Sequence, residues 1–589
     1  MTIERKWFPL TGPVRPALRR GPTAEAKILV DPLAGPKLAL AGRVVTMDDD
    51  FRIEADGVVY LELGSVVAVR PRAQPAPPGF EATSVLETGG TIFPGLIELH
   101  NHLSYNALPL WNVPKRYDHR GQWPNHPDYR KLISGPMTVI GELKNADGTS
   151  PLLPALIRFV ECKCLLGGVT TSQGVRLASN AGIQRYYRGL VRNVEQTGDK
   201  DLPEAQGRIP DIEAKDAAWF LGRLQKEDSC LLLHLAEGVT DPAHAQDSVA
   251  RRHFGALRIS PTEWALDEHF TGIHSAGLLP EDFDVLASHR SSIVWSPFSN
   301  LLLYGGTARV EAAKAAGVTI GLGSDWSPSG SKNLLGELKV AWLYNQLQLN
   351  GLFKTRELVA MATRNAAQIL KWSTAAGSLS PGKRADLVVI DGASGDAYEA
   401  LVHARETDVR LVMINGVARY GTKELMGALV PQDQTVKVDG ESRRLFLKQE
   451  TADPAVIPVA LSTAVDTLRD ALQNIAKLAK KAEKARTRPE SRRALDAPEP
   501  ITWSLALDEI QDTGMELGPR LPFNGPRDFT GPAKIARSSM QEASQPLSTL
   551  LGPIELDALT VADDEDFLDL VESEANVPEP IRTGLRALY

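Results

Sequence analysis

The sequence has few cysteines and no long hydrophobic run. Only Cys162, Cys164 and Cys230 occur among its 589 residues, an odd and sparse set that argues against a disulfide framework and for a reducing compartment. No apolar stretch is long enough for a signal peptide or a membrane span. The net charge of -8 gives no electrostatic reason to expect nucleic acid or an anionic membrane as a partner. We therefore expect a cytoplasmic protein.

What the sequence does contain is a change of pattern along its length. Residues 1–36 are rich in Pro, Gly and Arg and predict an extended N-terminal arm. Short β-branched runs in 37–93 predict antiparallel strands, and strand chemistry returns in 373–424. We expect these two segments to pair into one composite β-sandwich domain. Between them, residues 94–372 alternate apolar strands with helical stretches, which is typical of a parallel α/β fold.

The α/β region has the length of one (β/α)8 TIM barrel with an inserted loop. The weak fourth strand is expected near "GRIPDIE", and the insertion is expected at residues 103–150. The seven clear strands are "TIFPGLIEL", "GVTTSQ", "GLVRNVE", "CLLLHLA", "FTGIH", "SSIVWS" and "VTIGLGS".

Residues 425–589 predict a partly helical C-terminal extension. An apolar stripe recurs there at alternating steps of four and three, which indicates an amphipathic helix. The helix either mediates oligomerisation, which would give a homodimer, or docks on its own protein, and we favour docking. The residues of the stripe are Leu461, Val465, Leu468, Leu472, Ile475 and Ala479.

The stretch "PGLIELHNHLSYN", residues 94–106, runs an apolar strand into two histidines. Positions two apart on a strand face the same side, so His100, His102 and Glu98 point together. At the C-terminal end of a barrel strand, that side is the barrel mouth, where such enzymes place their chemistry. Alone, the pair is a weak signal, because ordinary histidines on a half-buried strand would look the same.

Other predicted strands also end in polar residues. His234 ends one strand and Glu237 follows it, His274 ends the next, and Asp325 ends the last. Each has a structural alternative, such as a core histidine, a helix-start acid or an N-cap. Together, at successive strand ends of one barrel, they predict a metal site.

Neutral imidazoles with one carboxylate suit a divalent ion, with zinc first and iron or manganese as alternatives. Three histidines and one aspartate leave room for a water molecule whose pKa the ion lowers. Glu237 and His274 would then be free for proton transfer.

Five motifs together resemble the amidohydrolase superfamily over about residues 37–420. The spacing of His234 and Glu237 resembles the deaminases of cytosine, S-adenosylhomocysteine and triazines, a branch that includes chlorohydrolases. The loop "WSPFSNLLLYGG" resembles the loop that follows strand seven in that branch. The five motifs are "PGLIELHNH", "LLGGVTT", "HLAEG", "GSD" and "GSLSPGKRADLVVID".

The resemblance implies a role for each residue that matches a motif. His100, His102, His234 and Asp325 would bind one metal ion. Glu237 would carry a proton to a ring nitrogen of the substrate. His274 would orient the hydrolytic water or polarise the tetrahedral intermediate, and Asp325 would also accept the proton of the water.

Two positions depart from the pattern, because Glu98 stands where the family has Asp and Trp295 where it has His. Other members of the superfamily hold two metal ions through a carboxylated lysine at the end of strand four. No lysine ends the predicted fourth strand here, and Lys163 precedes strand two, so the resemblance implies a one-metal site. Trp111 and Arg120 either close over a planar substrate or belong to a loop packed by its own aromatics. The residues predicted to contact substrate are Trp111, Arg120, Trp295, Ser299, Asn300 and Trp326.

These expectations favour a small-molecule hydrolase that deaminates a nitrogen heterocycle. Hydrolysis of a cyclic amide or of a carbon–halogen bond is an alternative at the same site. A non-catalytic binding protein is a further alternative, although such a protein has no need for costly buried charges.

Overall fold

The computed structural model describes residues 35–180, 184–239, 242–431, 434–487, 501–507 and 545–589. All but the last two residues of the predicted N-terminal arm lie outside these ranges. The predicted mixed α/β architecture is confirmed. The strands are β1 (Leu38–Val45), β2 (Ile53–Glu62), β3 (Ser65–Pro71), β4 (Val85–Pro94), β5 (Leu96–Glu98), β6 (Val169–Ser172), β7 (Arg176–Ser179), β8 (Gln184–Tyr186), β9 (Arg192–Asn193), β10 (Gln206–Arg208), β11 (Leu231–Leu235), β12 (Arg258–Ser260), β13 (Glu263–Trp264), β14 (Phe270–His274), β15 (Ser292–Trp295), β16 (Thr319–Leu322), β17 (Leu387–Asp391), β18 (Val409–Ile414), β19 (Val417–Thr422), β20 (Gln434–Val438), β21 (Glu441–Leu445) and β22 (Trp503–Leu505).

Helices lie between and after these strands within the described residues. They are α1 (Pro127–Tyr129), α2 (Gly135–Glu142), α3 (Leu153–Leu166), α4 (Ala217–Leu224), α5 (Val249–Gly255), α6 (Pro280–Ser288), α7 (Pro297–Tyr304), α8 (Val310–Ala316), α9 (Leu334–Leu347), α10 (Thr355–Met361), α11 (Arg364–Ile369), α12 (Ala397–His403), α13 (Lys423–Leu429), α14 (Leu461–Gln473), α15 (Ile475–Thr487), α16 (Leu547–Leu550), α17 (Phe567–Ser573) and α18 (Glu579–Ala587).

Eight parallel strands carry the candidate site. One sheet has the order β5-β6-β9 and another the order β10-β11-β14-β15-β16. Ala205 N–H donates to the carbonyl of Val194 and joins the two sheets at one side. At the other side, a parallel bridge between Asn101 and Asp325 joins the ends of β5 and β16. The strands therefore follow one another in chain order around a ring, and β10 lies where the weak fourth strand was expected.

An apolar cluster fills one end of this ring. Parallel strands covered on both faces read as continuous hydrophobic runs, which holds for β11 (LLLHL) but not for β9 (RN) or β10 (QGR). Helix α11 and the chain after it pack against the strand side chains. The cluster includes Ile97, Leu99, Val194, Leu232, Ile273, Val294, Ala366, Ile369 and Trp372.

A second, nine-stranded sheet combines chain from both sides of the ring, in the order β20-β21-β19-β18-β17-β4-β1-β2-β3. Its neighbours are antiparallel except for the parallel pair of β1 and β4. The sheet continues through β20 and β21, beyond residue 424. Strand β4 leads directly into β5, so this sheet is continuous in chain with the first strand of the ring.

The C-terminal extension packs on its own chain. The predicted amphipathic helix is two helices, α14 and α15, which meet at Asn474. Leu461, Leu468 and Leu472 are buried and Val465 is half-buried, and α14 packs against α3. No helix in the described part of the chain is both long and apolar enough to cross a membrane.

Candidate metal centre

Five buried side chains from four strand ends converge at one end of the ring. They form two overlapping groups in which the candidate ligand atoms all lie within 4.8 Å of one another. His100 Nε2 lies 3.1 Å from Asp325 Oδ1, and His102 Nε2 lies 3.2 Å from His234 Nε2. The first group is His100, His234 and His274, and the second is His100, His102 and Asp325.

The arrangement of donor atoms suits a cation. His100 Nε2 is buried and has Asp325 Oδ1 as its close polar neighbour. The facing Nε2 atoms of His102 and His234 lie at hydrogen-bond distance, so without an ion one of them must carry a proton between the rings. A divalent cation would satisfy these nitrogens together. Imidazole nitrogens with one carboxylate are ligands for zinc, iron or manganese.

The electrostatics favour the ligand forms of His234 and Asp325, whereas at His100 burial would lower the pKa but Asp325 outweighs it and raises that pKa. Burial holds the pKa of His234 well below its usual range, and the neighbouring histidines lower it further. A neutral imidazole is the form that binds metal. Burial alone would raise the pKa of Asp325, but His100, His274 and His102 outweigh it and lower that pKa. Asp325 is therefore ionised.

Two of the site residues have strained backbones. His274 has φ of 65° and Asp325 has φ of 66°, in the left-handed region that residues other than glycine rarely adopt. Such strain costs about 1–3 kcal/mol per residue and persists where the surrounding structure enforces it. The strain occurs where β14 and β16 end and their side chains turn toward the other histidines.

Second partners orient the histidine rings. His100 Nδ1 lies 3.1 Å from Gln173 Oε1, which also accepts a hydrogen bond from the Asn101 amide. His234 Nδ1 lies 3.3 Å from the carbonyl oxygen of Arg208. These contacts place the protons on Nδ1 and leave Nε2 for a metal. Gln173 was not predicted, because a lone glutamine after a strand has no distinguishing pattern.

Glu98 supports the site through Ser324, the residue before Asp325. Its Oε1 accepts a 2.9 Å hydrogen bond from the Ser324 amide and its Oε2 a 2.8 Å bond from the Ser324 hydroxyl. Burial raises the pKa of Glu98 to about 7. Through these two hydrogen bonds, Glu98 holds Ser324, the residue that precedes Asp325.

Glu237 and His274, the predicted proton-transfer pair, are adjacent. His274 Nε2 lies 3.7 Å from Glu237 Oε2, and burial raises the pKa of Glu237 to about 7. Tyr304 donates a 2.6 Å hydrogen bond to Glu237 Oε1, and Trp123 donates to the Tyr304 oxygen. Tyr304 is the last residue of α7 and was not among the predicted site residues.

Helix α7 brings two predicted residues, Ser299 and Asn300, to the site, and Trp295 at the end of β15 lies behind them. Asn300 Nδ2 lies 3.0 Å from His274 Nδ1. Thr307 donates to Asn300 Oδ1 and accepts from Trp295 Nε1. Trp295 is thus three hydrogen bonds removed from His274. Its ring lies against Tyr344.

Ser299 and Trp326 lie beside the candidate ligands. Ser299 donates a 2.6 Å hydrogen bond to Asp325 Oδ2. The Trp326 ring centroid is 6.0 Å from that of His102. Ser299 therefore fixes the Asp325 carboxylate, whereas Trp326 forms part of the wall next to the histidines.

The insertion supplies the remaining two predicted residues. Arg120 pairs with Asp211 at 2.8 Å, and its Nη1 lies 3.5 Å from the carbonyl oxygen of His234. Trp111 is buried and stacks on Tyr117. Arg120 thus contacts the backbone of a candidate ligand, while Trp111 lies among the aromatic rings of the insertion.

Gly323 permits the close approach of β16 and β5 at the site. A Cβ at this position would lie 2.5 Å from His100 Cβ and 2.9 Å from its backbone nitrogen. We expect Gly323→Ala to displace His100 and to weaken zinc binding by about tenfold or more. Zinc retention against a competing chelator measures this. Gly222→Ala is the matched control, because a Cβ there meets nothing within 4 Å, and equal retention by both variants would contradict the prediction.

Residues 231–419 match the sequence model of the amidohydrolase family, so the resemblance expected from the motifs is confirmed. One relative is a 5-methylthioadenosine/S-adenosylhomocysteine deaminase of Desulfitobacterium hafniense, 24% identical over 433 residues, which cover 66% of this chain and 94% of that protein. Another is a 5'-deoxyadenosine deaminase of Methanosarcina mazei, 23% identical over 454 residues, which cover 71% and 97%.

A similar solved structure is that of an adenosine deaminase from Xanthomonas campestris with bound zinc. The two are 16% identical, with a TM-score of 0.48, and the match covers 66% of this chain and 93% of that one.

Proposed function

We propose that this protein is a metal-dependent hydrolase that deaminates a nitrogen heterocycle, built on a (β/α)8 barrel. The observation that carries the proposal is the convergence of four histidines and an aspartate, all buried, beside Glu237. The family match and the deaminase relatives support it.

Four side chains would hold one divalent ion, with zinc first and iron or manganese as alternatives: His100, His102, His234 and Asp325. A bound ion of this kind supplies Lewis-acid activation of water near neutral pH. His274 would orient the water through Nε2, since Asn300 holds its other nitrogen.

Glu237 would move the proton. Its carboxyl group is buried, and burial raises its pKa to about 7, which suits proton transfer near neutral pH. It would receive a proton released from the water and donate it to a ring nitrogen of the substrate. Water adds to the amino-bearing carbon, the second proton of the water passes to the amino group, ammonia leaves, and a carbonyl group remains. Asp325 would share the proton transfer at its Oδ atoms.

The relatives point to a first substrate class. Their names describe deaminases of adenine nucleosides, so we propose a 6-aminopurine nucleoside or a related aminoheterocycle. Trp326, beside His102, would offer a flat aromatic surface to such a ring.

The test is an ammonia-release screen of the zinc-loaded protein against adenine nucleosides, cytosine, guanine, chlorotriazines and cyclic amides. Chelator-treated protein, with and without restored zinc, is the control. Zinc-dependent ammonia release supports deamination. Chloride release would favour hydrolysis of a carbon–halogen bond, and ring opening without ammonia would favour hydrolysis of a cyclic amide. Failure to bind any metal would favour a non-catalytic protein.

A further inference from the structure

The C-terminal end of the chain lies on the loops that carry the candidate site. We call residues 551–577 the C-terminal strap. Asp557 N–H donates to the carbonyl of Ala107, in the loop after β5. Asn576 Nδ2 donates to the carbonyl of Leu302, in the helix after β15. The strap therefore contacts chain segments that follow two of the strands of the ring.

Asp557 is the buried anchor of the strap. Its Oδ2 pairs with Lys163 of α3 and its Oδ1 with Lys332, which follows β16. All three side chains are at most 2% exposed. Lys332 also lies 2.6 Å from Asp564. Buried charges are costly unless paired, so Lys163 depends on the strap for its counter-charge.

Lys163 connects this anchor to the loop that follows the two histidines. Its Nζ donates to Ser327 Oγ at 2.7 Å and to the carbonyl of Asn106 at 3.1 Å. The Asn106 side chain accepts from the Ser327 amide at 2.8 Å and donates to Asn101 Oδ1 at 2.9 Å. The lysine thus fixes both partners of a buried hydrogen-bond chain.

This chain of hydrogen bonds ends at Asn101, between two of the candidate ligands. Asn101 stands between His100 and His102, and its Nδ2 donates to Ser324 Oγ at 3.1 Å. Ser324 directly precedes Asp325. The hydrogen bonds therefore join the two segments that carry three of the four predicted ligands.

We propose that Asp557 is a positioning residue for the metal centre, acting through Lys163 and Asn106. The strap is then a built-in part of the site, and the C-terminal extension has a role in holding its geometry. This inference rests on the proposed metal-binding function of His100, His102 and Asp325.

The first experiment compares Asp557→Asn with Glu555→Gln, an acid-to-amide change at an exposed position of the same strap. Zinc retention against a competing chelator and thermal melting are measured on the full chain. We expect about tenfold weaker zinc binding in Asp557→Asn, comparable to the loss of a residue that orients a ligand, and no change in Glu555→Gln. Equal zinc binding in both variants would overturn the positioning role.

A double variant separates positioning from charge balance. Lys163→Met with Asp557→Asn removes the uncompensated lysine, while Lys332 keeps Asp564. We expect its melting temperature to rise above that of Asp557→Asn while zinc binding stays weak, because the contacts to Asn106 and Ser327 are gone. Recovery of zinc binding would show that the anchor only balances charge and would overturn the proposal. If Asp557→Asn does not fold, zinc binding by the double variant alone tests the positioning role.

The wild-type protein distinguishes the two proposals. Zinc binding and ammonia release by wild type, with unchanged zinc binding in both Asp557 variants, would leave the proposed function standing and overturn the role of Asp557. Absence of zinc binding in wild type would overturn the proposed function and the positioning role with it.

Discussion

Replacing His234 by alanine is expected to abolish stoichiometric metal binding and to lower ammonia release by at least about 10³-fold. His234 Nε2 lies 3.2 Å from His102 Nε2, and its ring is fully buried among the other candidate ligands. Alanine removes one of the four predicted ligands and leaves a gap among the remaining side chains. Loss of the ion removes Lewis-acid stabilisation worth several kcal/mol.

The measurement is metal content per chain, by plasma mass spectrometry on protein purified without chelators or a histidine tag. His289→Ala is the control, since His289 directly follows α6 and hydrogen-bonds the carbonyl of Val285. About one equivalent in wild type and control, and close to none in His234→Ala, is the expected pattern. A His234→Ala protein with a full equivalent would contradict the ligand assignment, and two equivalents in wild type would indicate a second ion.

The sequence was informative where local patterns have fixed geometric consequences. Residues two apart on a strand share a face, so His100 and His102 were expected together. Strand ends of a parallel fold meet at one edge, so His234, His274 and Asp325 were expected to join them. The structure brings the five into two overlapping groups of three, with the ligand atoms of each group within 4.8 Å of one another.

Long-range partners could not be predicted from such patterns. Lys163 and Asp557 are 394 residues apart, and neither lies in a motif. An isolated lysine in a helix predicts solvent exposure, whereas this one is buried because a distant carboxylate returns to it. Tyr304 could not be predicted for a related reason. An aromatic residue in an apolar helix usually belongs to the core, and only the fold shows that Tyr304 reaches Glu237.

Replacing Glu237 by glutamine tests the proton-transfer step apart from metal binding. The amide has nearly the same size and can still accept the hydrogen bond from Tyr304, so we expect about one equivalent of metal to remain. An amide cannot carry a proton between water and a ring nitrogen. We therefore expect kcat to fall by about 10²–10⁴-fold, the usual contribution of general acid–base catalysis.

Glu268→Gln is the matched control for this variant, because Glu268 is an acid outside the site that pairs with Arg290 at the surface. Its metal content and kcat should equal those of wild type. If Glu237→Gln kept more than about a third of wild-type kcat, a loss below the range of general acid–base catalysis, the proton would have to move through another group. His274, whose Nε2 lies 3.7 Å from Glu237, would then be the next residue to replace. If Glu237→Gln instead lost its metal, the carboxylate would contribute to ion binding, and the assignment of four ligands would have to include it.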